Sequence, residues 1–222
     1  NRCRRQRQMC IRDSYEPGLT SLIKKISELC HKQIALDVGA NIGMTAIIFS
    51  ELFDKVIAFE PSQETFKVLK ENLKNNFIEN VELIDYGLGN EEKVLSTITP
   101  KFEATSTACI SDFESKNELK NYNFDTIKIQ NGDKAVNNLI QEKKIGLVKI
   151  DVEGFELEVL KGLEITIKKH RPVVILEMNA ICLNLFSKIS LPDYLESLDK
   201  FFPILIAYND HTCLLYTSPS PR

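Results

Sequence analysis

Ile34-Ala35-Leu36-Asp37-Val38-Gly39-Ala40-Asn41-Ile42-Gly43 decides the fold, because a short apolar run turns through two glycines into a second apolar stretch. A run of this length, bounded by Gly, reads as a buried strand, Ile34–Val38. The residues that follow, Ile42–Phe53, read as a helix. Working outward, Lys55–Glu60 is a second strand ended by Pro61, and Ser62 can cap a helix reaching Asn75. In that helix Phe66, Leu69 and Leu73 make a buried stripe while Lys67, Lys70 and Lys74 face water. Val81–Asp85 is a third strand. Strands alternating with helices specify a mostly parallel sheet covered on both faces, a Rossmann-like α/β fold.

The same rhythm brackets this centre. Leu19–His31 reads as an opening helix, with Leu22, Ile23, Ile26 and Leu29 at helical spacing. Downstream come a buried strand Ile145–Asp151, one long helix Phe155–Lys169, a strand Pro172–Met178, a helix Leu191–Lys200 and a final strand Pro203–Tyr208. Between the halves, Lys93–Gln130 is rich in Thr, Ser and Asn and strand-like at Val94–Thr99 and Thr126–Gln130. It is expected to be a β-rich insertion beside the sheet's carboxyl edge, where a substrate could be selected.

The 222 residues suit one α/β domain, and 43% hydrophobic content is enough for its core. No apolar run approaches the roughly 20 residues needed to span a bilayer, and the basic start lacks the apolar stretch of a signal peptide. Asn1–Ser14 is Arg-dense and Leu214–Arg222 reads LLYTSPSPR; both are expected to be non-native, leaving one domain over 15–213. A basic nucleic-acid-binding arm is the alternative for the start. Without these ends the body is more acidic than the formal charge of −3, which argues against a phosphate-backbone binder. Of the cysteines inside the domain, Cys30, Cys109 and Cys182 are scattered with no CxxC, as expected of reduced thiols in a cytoplasmic protein.

The chemistry concentrates at the carboxyl ends of the strands, where open α/β sheets bind ligands. The elbow Asp37-Val38-Gly39-Ala40-Asn41-Ile42-Gly43 lacks GxGxxG, since Asn41 stands at the central glycine and Asp37 lies two residues upstream. A pyrophosphate is repelled by that carboxylate, whereas the ammonium of an amino-acid cofactor is attracted. The elbow therefore favours S-adenosylmethionine (SAM) over a dinucleotide. Glu60, ending the next strand, stands where an acid accepts ribose hydroxyls. Lys149-Ile150-Asp151-Val152-Glu153-Gly154-Phe155-Glu156 clusters carboxylates beyond a buried strand. Acids early in a helix can serve its dipole, which suits Glu156 and Glu158 well and Asp151, closing the strand itself, less well.

Asp37–Gly43, Ala58–Pro61, Lys149–Gly162 and Arg171–Glu177, in this order and rough spacing, resemble the FkbM-type methyltransferase family, a likeness that runs from about Tyr15 to Ala207. The resemblance implies a class I methyltransferase domain with SAM as cofactor. The acceptor it implies is a hydroxyl of a sugar, glycan, glycolipid or secondary metabolite. By matching motif, Asp37, Gly39, Ala40, Asn41 and Gly43 would line the methionine side, Glu60 the ribose and Asp85 the adenine, with Asp151 and Glu153 flanking the reacting methyl. The family closes its sheet with a strand hairpin. Here the second strand is expected to be missing or replaced by Cys213–Ser218.

Methyl transfer is an in-line displacement, so alignment matters first and a base for the acceptor proton second. Asp151 and Glu153, then Glu177, are the candidate bases. No metal is assigned, although Asp151, Glu177 and Asn179 offer the oxygens Mg²⁺ prefers. His31 and His170 fall near expected helix ends, where they would serve the dipole, and His211 near the chain's end. Two rivals remain: a nicotinamide-dependent oxidoreductase, and a non-catalytic SAM-binding module with no use for the acids at 151–153.

Overall fold

The computed structural model describes residues 17–100, 109–110, 122–209 and 214–217. The leader Asn1–Ser14, the middle of the insertion, His211 and Cys213 lie outside the described residues. In chain order the elements are α1 Pro17–Ser27, β1 Ile34–Val38, α2 Met44–Ser50, β2 Lys55–Phe59, α3 Gln63–Asn75 and β3 Val81–Ile84. Then follow β4 Gly87–Gly89, β5 Lys93–Pro100, β6 Cys109–Ile110, β7 Tyr122–Asn131, α4 Gly132–Ile140 and β8 Ile145–Ile150. The chain continues as α5 Glu156–Gly162, α6 Glu164–His170, β9 Val173–Leu176, α7 Ala180–Phe186, α8 Leu191–Asp199, β10 Ile206–Asn209 and β11 Leu214–Thr217.

The central sheet has five parallel strands in the order β3-β2-β1-β8-β9. Every residue of β1 and β8 is buried, as apolar runs covered on both faces must be. Alternate side chains serve opposite cores. Ile34, Leu36 and Val38 pack with Val159, Leu160, Leu163 and Tyr194 on one face. Ala35 joins Ile23, Phe49 and Val56 on the other, which α1 and α2 cover. Leu69 and Leu73 of α3 close over Ala40, Ala46 and Ala58 beside them. Burial of each large aliphatic side chain contributes about 1.5–3 kcal/mol. Ser62 caps α3 by accepting the Thr65 N–H, as its position before the helix implies.

The insertion is a second, four-stranded sheet in the order β4-β7-β5-β6, matching the strand-like stretches at 94–99 and 126–130. Two expectations are corrected. The helix expected over 155–169 breaks at Leu163 into α5 and α6. The break lies where Gly162 meets the Gly89 carbonyl so closely that any Cβ would overlap it, while Gly132 packs against the Gly162 carbonyl. The final strand does not extend the central sheet: β10 pairs antiparallel with β11, four of the residues expected to be non-native. Among the described residues β9 is therefore an edge strand, and its side chains are only half-buried or exposed.

Candidate active site

Register alone assembles the acids. Val38, Phe59, Ile84, Ile150 and Leu176 lie in one row across the central sheet. One step beyond them, across the carboxyl edge, run Asp85, Glu60, Gly39, Asp151 and Glu177. The ladder still holds there, since the amides of Gly39, Glu60, Asp151 and Glu177 donate to Phe59, Ile84, Val38 and Ile150 at 3.0 Å each. One row down, Asp37 lies between Ala58 of β2 and Lys149 of β8. Paired residues of parallel strands share a face, as do residues two apart. Asp37, Glu60, Lys149 and Asp151 therefore emerge on the face that α1, α2 and α3 cover.

Asp37 is wholly buried, and neither of its oxygens meets a hydrogen-bond donor in good geometry among the described residues. Burial raises its pKa to about 6, with the nearby Lys149 charge and the Ala46 amide offsetting only part of the cost and Asp151 adding to it. Lys149 is 4% exposed and donates to Asp151 Oδ2 at 2.7 Å. Burial opposes its charge, but Asp151 and Asp37 outweigh that and its pKa is raised, so it remains a cation. One ammonium thus serves two carboxylates, and Asp151 takes the hydrogen bond.

Glu60 is almost buried and joins two loops. Its Oε2 accepts the Asn41 N–H and its Oε1 accepts the Ser62 N–H, both at 2.9 Å. Desolvation lifts its pKa to about 7 against the pull of those amides. Each carboxylate oxygen has a further lone pair, so the acid can still accept from ribose hydroxyls. The Asn41 Oδ1 is buried without a partner among the described residues. Asn41 itself sits at φ 51, flanked by Gly39 at φ 82 and Gly43 at φ 93.

The elbow glycines also let neighbouring elements approach. A Cβ on Gly39 would overlap the Asp151 carbonyl oxygen, and one on Gly43 would meet Leu69 Cδ1. They let β8 and α3 close onto the elbow. The Asp151 loop is shaped from below by Glu156, which is 1% exposed. Its Oε1 accepts the Val152 and Gly154 amides at 3.3 and 3.0 Å, a role beyond the dipole one expected. Above it Glu153, at φ 50, turns toward α7, where its Oε2 accepts from Asn179 Nδ2 at 3.1 Å and Cys182 Sγ at 3.2 Å.

Asp37, Glu60, Lys149 and Asp151 therefore form one electrostatic unit. Glu177 and Asp85 sit at the same edge but are exposed, and Glu153 belongs to the α7 side. Lys149 is the residue the sequence reading passed over, although a Lys inside a strand buried on both faces must find a partner. His170 also differs from expectation. It is buried, and its Nδ1 accepts the Ile145 N–H at 3.3 Å, so it anchors the start of β8 as a neutral ring. Among the described residues no group of three or more His, Cys, Asp or Glu side chains is placed to hold a metal ion, and no helix is long and apolar enough to cross a membrane.

Strand order, a glycine elbow after β1 and acids aligned on the carboxyl edge define a Rossmann-like α/β domain with a candidate site at that edge. The model of the methyltransferase FkbM domain matches residues 37–198, and the chain belongs to that family. Membership displaces the nicotinamide-oxidoreductase reading. Curated relatives include Methyltransferase 1 of Beauveria bassiana, 29% identical over 143 residues (58% of this chain, 57% of the relative). Hexuronic acid methyltransferase AglP of Haloferax volcanii is 36% identical over 138 residues (62% of this chain, 53% of the relative). The chain thus spans a little over half the length of these two. Among solved structures, an FkbM methyltransferase from Methylobacillus flagellatus superposes with a TM-score of 0.53 at 18% identity, over 84% of this chain and 44% of that one. SMU.1697c of Streptococcus mutans, solved in complex with S-adenosylhomocysteine (SAH), gives 0.50 at 13% identity, over 85% and 87%. These two likenesses show the fold.

Proposed function

We propose that this chain binds SAM at the carboxyl edge and methylates a hydroxyl of a sugar, glycan, glycolipid or secondary metabolite. The observation that carries the cofactor reading is a buried group of acceptors without donors: both oxygens of Asp37 and the Oδ1 of Asn41, beside a Glu60 with lone pairs to spare. Such a site calls for a ligand rich in donors and positive charge, such as an amino-acid ammonium and ribose hydroxyls, and would repel a pyrophosphate. Asp37, Gly39, Ala40, Asn41 and Gly43 would face the methionine part, Glu60 the ribose and Asp85 the adenine.

SAM, when bound, supplies a methyl group activated by its sulfonium. The protein's part is to align the acceptor and take up its proton. Asp151 and Glu153 are the groups for that proton, and the geometry favours Glu153. Each commits one oxygen, but Asp151 gives its Oδ2 to the Lys149 cation whereas Glu153 gives its Oε2 to the neutral donors of Asn179 and Cys182, so Glu153 is not already serving a buried positive charge. Glu153 also sits in a left-handed conformation that a non-glycine residue adopts at a cost, a feature that gathers at working sites. Glu177, exposed at the end of the row, stands third. A sugar acid is the acceptor to try first, because the AglP relative is named for a hexuronic acid. The acidic body fits a small-molecule or glycan acceptor better than nucleic acid, and the scattered thiols fit a cytoplasmic setting.

Calorimetric titration with SAH and with NADH tests the cofactor. SAH is expected to bind and NADH not to; NADH binding alone would overturn the reading. Transfer of labelled methyl from SAM to a panel of hexuronic acids, neutral sugars and phenols then tests the acceptor class. With an acceptor in hand, Glu153→Gln should lower turnover far more than SAH affinity. Unchanged turnover would remove Glu153 from the proton transfer.

A further inference from the structure

We propose that Lys149 is the positioning residue of this site: its buried ammonium, beside Asp37 of β1 and bonded to Asp151 beyond β8, holds Asp37 as the anion that receives the cofactor's ammonium and fixes the direction of the Asp151 carboxylate. The cofactor half of this statement rests on the SAM reading above; the effect of Lys149 on Asp37 does not.

Three observations lead there. Lys149 and Asp37 are register partners on adjacent strands, both at least nine-tenths buried, so neither can exchange the other for water. Among the described residues the ammonium donates its hydrogen bond to Asp151 at 2.7 Å, so its hold on Asp37 is through charge. Asp37 itself has no donor in good hydrogen-bond geometry among the described residues, only the Ala46 amide nearby, and a buried carboxylate so poorly served should be neutral without a cation. The ionisable groups facing this pair are Asp151 on the β8 side, Glu60 beyond β2 and Glu177 beyond β9. All three are acids. Lys149 is the one cation acting on Asp37 among the described residues. An uncharged side chain at 149 would leave Asp37 surrounded by carboxylates and protonated at neutral pH. The cationic end of a ligand would then lose its counter-ion.

The test follows the Asp37 carboxyl carbon by NMR in ¹³C-aspartate-labelled full chain, its signal assigned by its loss in Asp37→Asn. In Lys149→Met the Asp37 titration midpoint should move up by about two units, within the usual effect of removing a close opposite charge. SAH affinity should fall about tenfold near pH 7 and recover as the pH is raised through the new midpoint. An Asp37 midpoint that stays in place overturns the proposal, as does an affinity loss equal at every pH, which marks a packing role alone. If Lys149→Met does not fold, the double variant Asp37→Asn/Lys149→Met decides. Removing the acid along with its cation should restore folding, and a double variant that stays unfolded overturns the proposal. Should the wild-type chain not bind SAH, the SAM reading fails while the Asp37 titration still reports on Lys149.

Discussion

Replacing Asp37 by Asn should make the free protein more stable and the cofactor site worse. Asp37 titrates near 3.8 when exposed and at about 6 in the fold. A carboxyl with a raised folded pKa contributes stability that is fully present below its unfolded pKa and is lost as the pH climbs through the folded one. The shift of about 2 units, at about 1.4 kcal/mol per unit, means that wild type has given up about 3 kcal/mol at this residue by pH 8. Asn cannot ionise, so Asp37→Asn escapes that loss. It should exceed wild type by about 3 kcal/mol at pH 8, by about half as much at pH 5, and by little below pH 4. Urea unfolding followed by circular dichroism across this range measures the gap, and calorimetry at pH 8 should show SAH affinity reduced. A variant no more stable than wild type at pH 8, or a gap that does not change with pH, would refute the idea that Asp37 is a costly buried charge kept for a ligand.

Three further outcomes are expected. Glu60→Gln leaves one of the two loop amides without its acceptor and weakens the ribose contact, so SAH affinity should drop by about 1.5–3 kcal/mol, or 10- to 100-fold, by calorimetry. Gly39→Ala forces a Cβ against the Asp151 carbonyl in a left-handed backbone, and should cost about 2–4 kcal/mol in urea unfolding at any pH. His170 has its pKa lowered by burial, then by Lys169 and Lys144, so its contribution to stability is present above its ordinary value of 6.5 and is lost as the pH falls below it. His170→Gln should flatten the stability–pH curve in that acid range, and an unchanged slope would show that the ring does not report there.

The central sheet was legible because its strands advertise themselves locally. Ile34–Val38 is a five-residue run, apolar except for Asp37 and bounded by polar residues and glycine, and the strand matches it residue for residue. The placement of Glu60, Asp85, Asp151 and Glu177 at the carboxyl edge was legible for the same reason, since each follows a recognisable strand end. Contacts distant in sequence were not legible. That Lys149 sits opposite Asp37 depends on the register between β1 and β8, more than a hundred residues apart. The break in the 155–169 helix depends on Gly89 arriving at Gly162 from another element. That Gly39 meets the Asp151 carbonyl was not legible either, because its local pattern is identical whether a ligand or a carbonyl fills the gap. Helices α4 and α7 were missed: α7 is a run of only two turns, and α4, although Ala135, Val136 and Ile140 mark one face, follows β7 directly with no loop between them. The detachment of β10 depends on which edge a short strand chooses, and local pattern does not encode that.

The Glu60 carboxylate draws together two stretches that are 21 residues apart, gripping the amide of Asn41 with one oxygen and that of Ser62 with the other. Both stretches lead directly into helices, so this single side chain works as a clasp for the entrances of α2 and α3. A ligand that shares its oxygens will be felt at both helix starts together. Hydrogen exchange should then show the Asn41 and Ser62 amides slowing in step when the pocket fills.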